Sequence, residues 1–170
     1  MKRVPALTQE PTIFLSRKFW EFSRGTDHTE DEILQAACIA NFEKVVTELP
    51  RGLDSIINEK GVNLSGGQKQ RLALSRALLF SKEKEIILLD ESTSSVDSEN
   101  ETEIYTNIWK AFEGKTVIAS IHKMNLLKLF DRIYIFEKGM IADQGSFEEL
   151  LASNSSFKES WDQFVATRNQ

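Results

Sequence analysis

The stretch Ile86-Ile87-Leu88-Leu89-Asp90-Glu91 constrains this chain more than any other, being a short unbroken apolar run that ends on two carboxylates. A run of that length without polar alternation suits a strand buried on both faces, as in a parallel sheet. Residues 116–121 read as a second buried strand. Helical segments alternate with these runs. Residues 29–46 open on a capping-box pair, Thr29 and Glu32, with Ile33, Ala36, Ala37 and Ala40 along one face. Residues 65–80 open on Ser65 and Gln68, and Leu74, Ala77 and Leu78 share their apolar face. Ser98 and Glu101 predict the cap of a third helix, whose stripe is Ile104, Tyr105, Ile108, Trp109 and Phe112. Residues 4–7 read as a short strand that Pro5 pushes toward a sheet edge. Residues 133–136 and 140–142 read as a hairpin. Ser146 with Glu149 opens a short helix, and Phe157, Trp161, Phe164 and Val165 mark a final one. Helices alternating with buried strands give an α/β fold with a mainly parallel sheet.

Composition narrows the function. A net charge of −5 argues against nucleic acid as the main partner. The single cysteine, Cys38, excludes an intrachain disulfide and a cysteine-built metal site, and its place in an amphipathic helix predicts a buried structural thiol. No apolar run approaches the ~18 residues of a membrane span, and residues 1–8 do not read as a signal peptide. The chain is expected not to cross a membrane itself, although it could dock onto a protein that does.

Two segments carry chemistry. Leu64-Ser65-Gly66-Gly67-Gln68 places a glycine pair at a helix start. Backbone N–H groups, the Ser65 hydroxyl and the positive end of the helix dipole would there form a phosphate site. A serine-capped helix with glycines in a turn fits the same residues. Asp90 and Glu91 fall just past the C-terminal end of a buried strand, the edge at which open α/β sheets bind ligands. Asp90 suits Mg²⁺ held partly through water, which leaves Glu91 to accept a proton from an attacking water. An acidic turn capping the next segment is the plainer alternative. His122 ends the other predicted strand and could bond a γ-phosphate, or be a satisfied structural residue.

These residues resemble, in order, the motifs of the ATP-binding cassette (ABC) ATPases. Leu64 to Gln68, continued by Lys69-Gln70-Arg71-Leu72, is similar to the ABC signature. Residues 86–91 resemble Walker B with its catalytic glutamate, Ser94-Ser95-Val96-Asp97 the D-loop, and Ser120-Ile121-His122-Lys123 the H-loop. Gln9-Glu10-Pro11-Thr12-Ile13-Phe14 resembles the Q-loop. Asn58-Glu59-Lys60-Gly61 is similar to the X-loop of exporters, with Asn58 where glycine is usual, and Pro50-Arg51-Gly52-Leu53-Asp54 fits the exporter pattern.

The resemblance implies a P-loop-NTPase-like fold in four parts: a strand and Q-loop over about 1–14, and a helical signature subdomain over about 15–80. Core strands would follow over about 81–145 and C-terminal helices over about 146–170. It implies ATP and Mg²⁺ as cofactors, with Glu91 and His122 catalytic and Asp90 and Gln9 on the metal. Gln9, Ser65, Gly66, Gly67, Gln68 and Asp97 would contact nucleotide. The implied partners are a second ABC ATPase domain in a head-to-tail dimer and the transmembrane domain of an exporter, at the cytoplasmic face of a membrane. Alone, the chain would be soluble and cytoplasmic.

The family's Walker A P-loop, G-x-x-x-x-G-K-S/T, is not among these 170 residues. Gly114-Lys115-Thr116 precedes a predicted strand, whereas a P-loop opens a helix. The chain therefore reads as a cassette incomplete at its N-terminus. By itself it is expected neither to bind ATP tightly nor to turn it over. Two alternatives are a non-hydrolysing partner that donates its signature to a P-loop-bearing subunit, and a decayed remnant. Loss of a P-loop strand beside the Walker B strand is expected to leave residues 86–89 on an open sheet edge.

Overall fold

The computed structural model of the chain describes residues 6–7, 17–18, 28–57 and 64–168. It divides into two compact units, the first running to Ser120 and the second from Ile121.

The first unit begins with strand β1 (Ala6–Leu7) and a short antiparallel pair, β2 (Arg17–Lys18) with β3 (Ile56–Ile57), which the sequence did not suggest. Between the strands of that pair, the helical stretch splits into α1 (Glu30–Ile39) and α2 (Glu43–Glu48). The break falls at Asn41, whose φ of +53° lies in the left-handed region that asparagine tolerates better than most residues. α1 packs against both α3 (Gly66–Leu79) and α4 (Ser98–Ala111). Most of their predicted apolar faces enters the core: Ile33, Ala36, Ala37, Leu74, Leu78, Ile104, Tyr105 and Ile108 are buried, joined by Leu72, whereas Ala77 and Trp109 are half-buried. Cys38 departs from expectation, lying on the exposed side of α1. Its thiol donates to Glu43, which with partial burial pushes it up to about 11, so it is unreactive without being buried.

The capping box at Thr29 forms as expected and carries an extra charge. Glu32 accepts from the Thr29 N–H at 3.0 Å and from Lys82 Nζ at 3.0 Å. These contacts lower its carboxyl from an ordinary 4.5 to about 2. Depression in the folded state means that the contribution is present above the unfolded value and is lost as pH falls through the folded one. The start of α1 should fray between pH 4.5 and about 2, with Glu32 titrating near the lower limit by carboxyl NMR. A midpoint near 4.5 would refute that reading.

The site is built on a parallel sheet, ordered β1, β4 (Ile86–Asp90), β5 (Thr116–Ser120). Leu88 pairs with Ala6 on one side and Ile118 on the other, and Asp90 stands opposite Ser120. Three expectations are corrected here. The β4 strand is not an open edge, because β1 and β5 flank it; among the described residues the two edges of the sheet are β1 and β5. Nor is β4 buried on both faces: Ile87 and Leu89 are buried while Ile86 is 45% exposed. The second predicted buried strand, β5, is half-exposed throughout, with Ile118 at 55%. Unbroken apolar sequence marked the strands correctly but could not say how many faces are covered. Gly114 and Lys115 lead into β5 and not into a helix, as the rejection of a P-loop there requires.

In the second unit a hairpin joins β6 (Ile133–Glu137) to β7 (Met140–Gly145) through Lys138 and Gly139. Both turn residues have positive φ, +50° and +78°, the geometry that matches strand twist in two-residue hairpins. Helices α5 (Phe147–Ser153), capped by Ser146 and Glu149, and α6 (Ser155–Arg168) follow as expected. Ile133, Phe147, Leu150 and Phe157 form the core of this unit, with Lys128 over the Phe147 and Trp161 rings. Among the described residues no helix is long and apolar enough to cross a membrane.

Candidate functional site

Parallel register sets the acidic edge. Because Asp90 lies opposite Ser120, the two strands end together, and one hydroxyl serves both carboxylate residues. Ser120 Oγ donates to Asp90 Oδ1 at 2.7 Å and accepts from the Glu91 N–H at 3.0 Å. Glu91 has φ of +44°, a left-handed conformation that costs an L-residue about 1–3 kcal/mol and persists only where surroundings impose it. The chain thus turns sharply between Asp90 and Glu91, leaving the first exposed and the second half-buried.

Asp90 fits a magnesium ion carried by phosphate. It is a hard oxygen donor, exposed, with one oxygen held by Ser120, and Mg²⁺ takes only one or two carboxylates with several waters. Gln9, the other expected ligand, lies outside the described residues. Among the described residues no group of three or more His, Cys, Asp or Glu could hold a metal.

At α3 the signature segment forms the serine-capped helix, and that cap leaves room for the phosphate reading. Ser65 is the N-cap: its Oγ accepts from the Gln68 N–H at 3.2 Å, and Gln68 Oε1 accepts from the Ser65 N–H at 2.8 Å. A helix leaves its first N–H groups without intrahelical acceptors, and the box uses that of Gln68. Gly66 and Gly67 therefore supply N–H groups at the positive end of the dipole, with Ser65 and Gly66 exposed.

Gly67 has a second reason to be glycine. A Cβ there would lie 2.8 Å from the Ser95 carbonyl oxygen, a backbone atom that cannot swing aside. Gly67→Ala should push the loop after Glu91 away from α3 at a cost of about 1–3 kcal/mol, measured by urea denaturation. An unchanged midpoint with unmoved Ser95 and Val96 amide resonances would contradict it.

Asp97 is the N-cap of α4, displacing Ser98 from the role that sequence spacing suggested. Its carboxylate accepts from the Asn100 N–H at 3.0 Å and from Asn100 Nδ2 at 2.7 Å, and these bonds lower its pKa. His122 is exposed, two residues beyond β5, and belongs to the second unit. The structure therefore brings together Asp90, Glu91 and the loop to Asp97, and sets the Ser65 helix against that loop.

Three residues named only within motifs or a cap turn out to hold this arrangement together. Ser120 could have been found by aligning the ends of the two strands. Gln70 is 8% exposed, and its Nε2 donates to Ser94 Oγ at 2.8 Å while its Oε1 accepts from the Ser95 N–H at 2.7 Å. Its signal was present: Gln70, Leu74 and Leu78 share one face at i, i+4, i+8, and a polar residue in a core stripe needs partners. Glu101 is 3% exposed and accepts from Thr93 Oγ1 at 2.6 Å. A glutamate in the first turn of a helix gives no such hint.

Comparison with known proteins bears on this geometry. The family model described as ABC transporter matches residues 1–94. The chain is 37% identical over 150 residues to ABC transporter B family member 4 of Dictyostelium discoideum, covering 88% of this chain and 19% of that protein. It is 36% identical over 162 residues to the ABC multidrug transporter MDR1 of Cryptococcus neoformans var. grubii, covering 92% of this chain and 11% of that one. A bacterial Atm1-family ABC exporter solved with ATP bound matches with a TM-score of 0.80 at 29% identity, over 94% of this chain and 28% of the other. The chain spans less than a third of the length of each of these relatives.

Proposed function

Because the chain belongs to the ABC transporter family, we propose that it is part of the ATP-hydrolysing cassette of an exporter, powering transmembrane transport from the cytoplasmic face of a membrane. Ser120, bonded at once to Asp90 and to the Glu91 backbone, is the observation that most supports it. That hydroxyl holds the Asp90 carboxylate on one side and the Glu91 backbone on the other, which leaves two neighbouring acidic residues in different settings, as different tasks require. Asp90, with Gln9, would hold Mg²⁺, which supplies positive charge to the phosphates. Glu91 takes the proton of the attacking water, and His122 bonds the γ-phosphate. Ser65, Gly66, Gly67 and Gln68 act on ATP held by a second ABC ATPase domain in a head-to-tail pair. Asp97 caps α4 beside that interface, and the transmembrane domain docks on the Gln9 segment and the adjoining helical region.

The test mixes the chain with an ABC ATPase domain that carries its own P-loop but a mutated signature serine. ATP-dependent association or rescued turnover is expected. No ATP-dependent association at high concentration would overturn the pairing.

A further inference from the structure

We propose that Gln70 is a positioning residue that ties the anion-facing end of α3 to the loop following Glu91, so that the two move as one body. What the two segments serve rests on the ATPase reading above; the tie itself is measurable without nucleotide.

The loop over residues 91–97 is held at three places. Ser120 takes the Glu91 N–H, and Glu101 takes the Thr93 hydroxyl. These two anchors come from β5 and α4. The third comes from α3, the helix that starts at Gly66 behind its Ser65 cap. The primary amide of Gln70 uses its donor on Ser94 Oγ and its acceptor on the Ser95 N–H. Gly67 lets the backbones close, because any Cβ there would strike the Ser95 carbonyl. Arg71 adds a further tie from the same helix, its Nη1 donating to Asn100 Oδ1 at 3.1 Å at the head of α4. Gln70 lies in the second turn of α3, about 6 Å along the axis from Gly66. A shift imposed on the helix start is therefore carried to Ser95 without an intervening flexible segment. From Ser95 the chain runs back through Thr93, pinned by Glu101, to Glu91.

Substitutions separate this role from simple packing. Gln70→Leu keeps the bulk but loses both bonds. Gln70→Glu retains an acceptor for the Ser95 N–H, and its second oxygen can accept from Ser94 once that hydroxyl turns to donate. Hydrogen exchange of the free chain is the readout. The Ser95 amide should exchange about tenfold faster in Gln70→Leu, with β4 amides unchanged, and return close to wild type in Gln70→Glu. Should the leucine variant fail to fold, Ser94→Ala removes one bond at an exposed position, and Ser95 should still exchange about threefold faster.

Unchanged Ser95 exchange in these variants overturns the proposal. So does equal acceleration of Ser95 and β4, or a glutamate variant no better than leucine. Adding an ATP-loaded ABC ATPase domain with its own P-loop gives a second arm. Protection at residues 65–68 should spread to 94–96 in wild type and stop short in Gln70→Leu. Protection that spreads equally in both overturns the coupling. If no protection appears at residues 65–68, the ATPase pairing fails, while Ser95 exchange in the free chain still decides the tie.

Discussion

Glu91→Gln is expected to lower ATP turnover by about 10²–10⁴-fold while leaving nucleotide affinity unchanged, when the chain is assayed together with a P-loop. Glutamine has the shape of glutamate but no carboxylate to take the water's proton. The substitution also spares the backbone contact at this position. The bond that fixes this position runs from the Glu91 backbone N–H to Ser120, so it survives a side-chain change. The left-handed backbone is no harder for glutamine than for glutamate. Unmoved amide resonances over residues 91–97 would then assign loss of turnover to the carboxylate and not to a displaced loop. Single-turnover hydrolysis beside equilibrium ATP binding is the measurement. Unchanged turnover would remove Glu91 from the chemistry.

Ser65→Arg is expected to weaken ATP-dependent association with a P-loop-bearing partner by tenfold or more, since charge-assisted bonds to phosphate are worth about 1.5–3 kcal/mol. The substitution does two things, and they need separating. It removes the acceptor that caps Gln68, which alone costs the helix about 0.5–2 kcal/mol. It also fills the space before Gly66 and Gly67 with a long side chain. Ser65→Asp resolves the two, because aspartate caps a helix as well as serine but presents negative charge to an incoming phosphate. A Ser65→Asp variant that melts like wild type yet no longer associates assigns the loss to the ligand. Association that persists in both variants would rule out this helix as the contact.

What could be read from sequence was whatever depends on local pattern. The capping boxes at Thr29, Ser65 and Ser146 formed where their spacing placed them, since each is closed by residues three apart. The hairpin around Gly139 and the stripe along α4 were equally local. One failure was itself local, and the others came where distant parts of the chain decide the outcome. The cap of α4 moved from Ser98 to Asp97, a one-residue slip between two competent capping residues. The sidedness of β4 and β5 depends on what lies over the sheet, which no four-residue run records. Within the site, the carboxylates and glycines stood out by residue type. Ser120 and Gln70 did not, because a serine at a strand end and a glutamine in a helix acquire meaning only from what they face.

Position 91 sets two optima against each other. A left-handed backbone held by an L-residue is a debt that glycine would cancel, since it adopts that geometry without steric cost. Heat-resistance screening of random variants should therefore favour Glu91→Gly, raising the melting point while removing the carboxylate proposed to take the proton. On the ATPase reading proposed above, the most durable version of the chain and the one that best serves hydrolysis are different molecules.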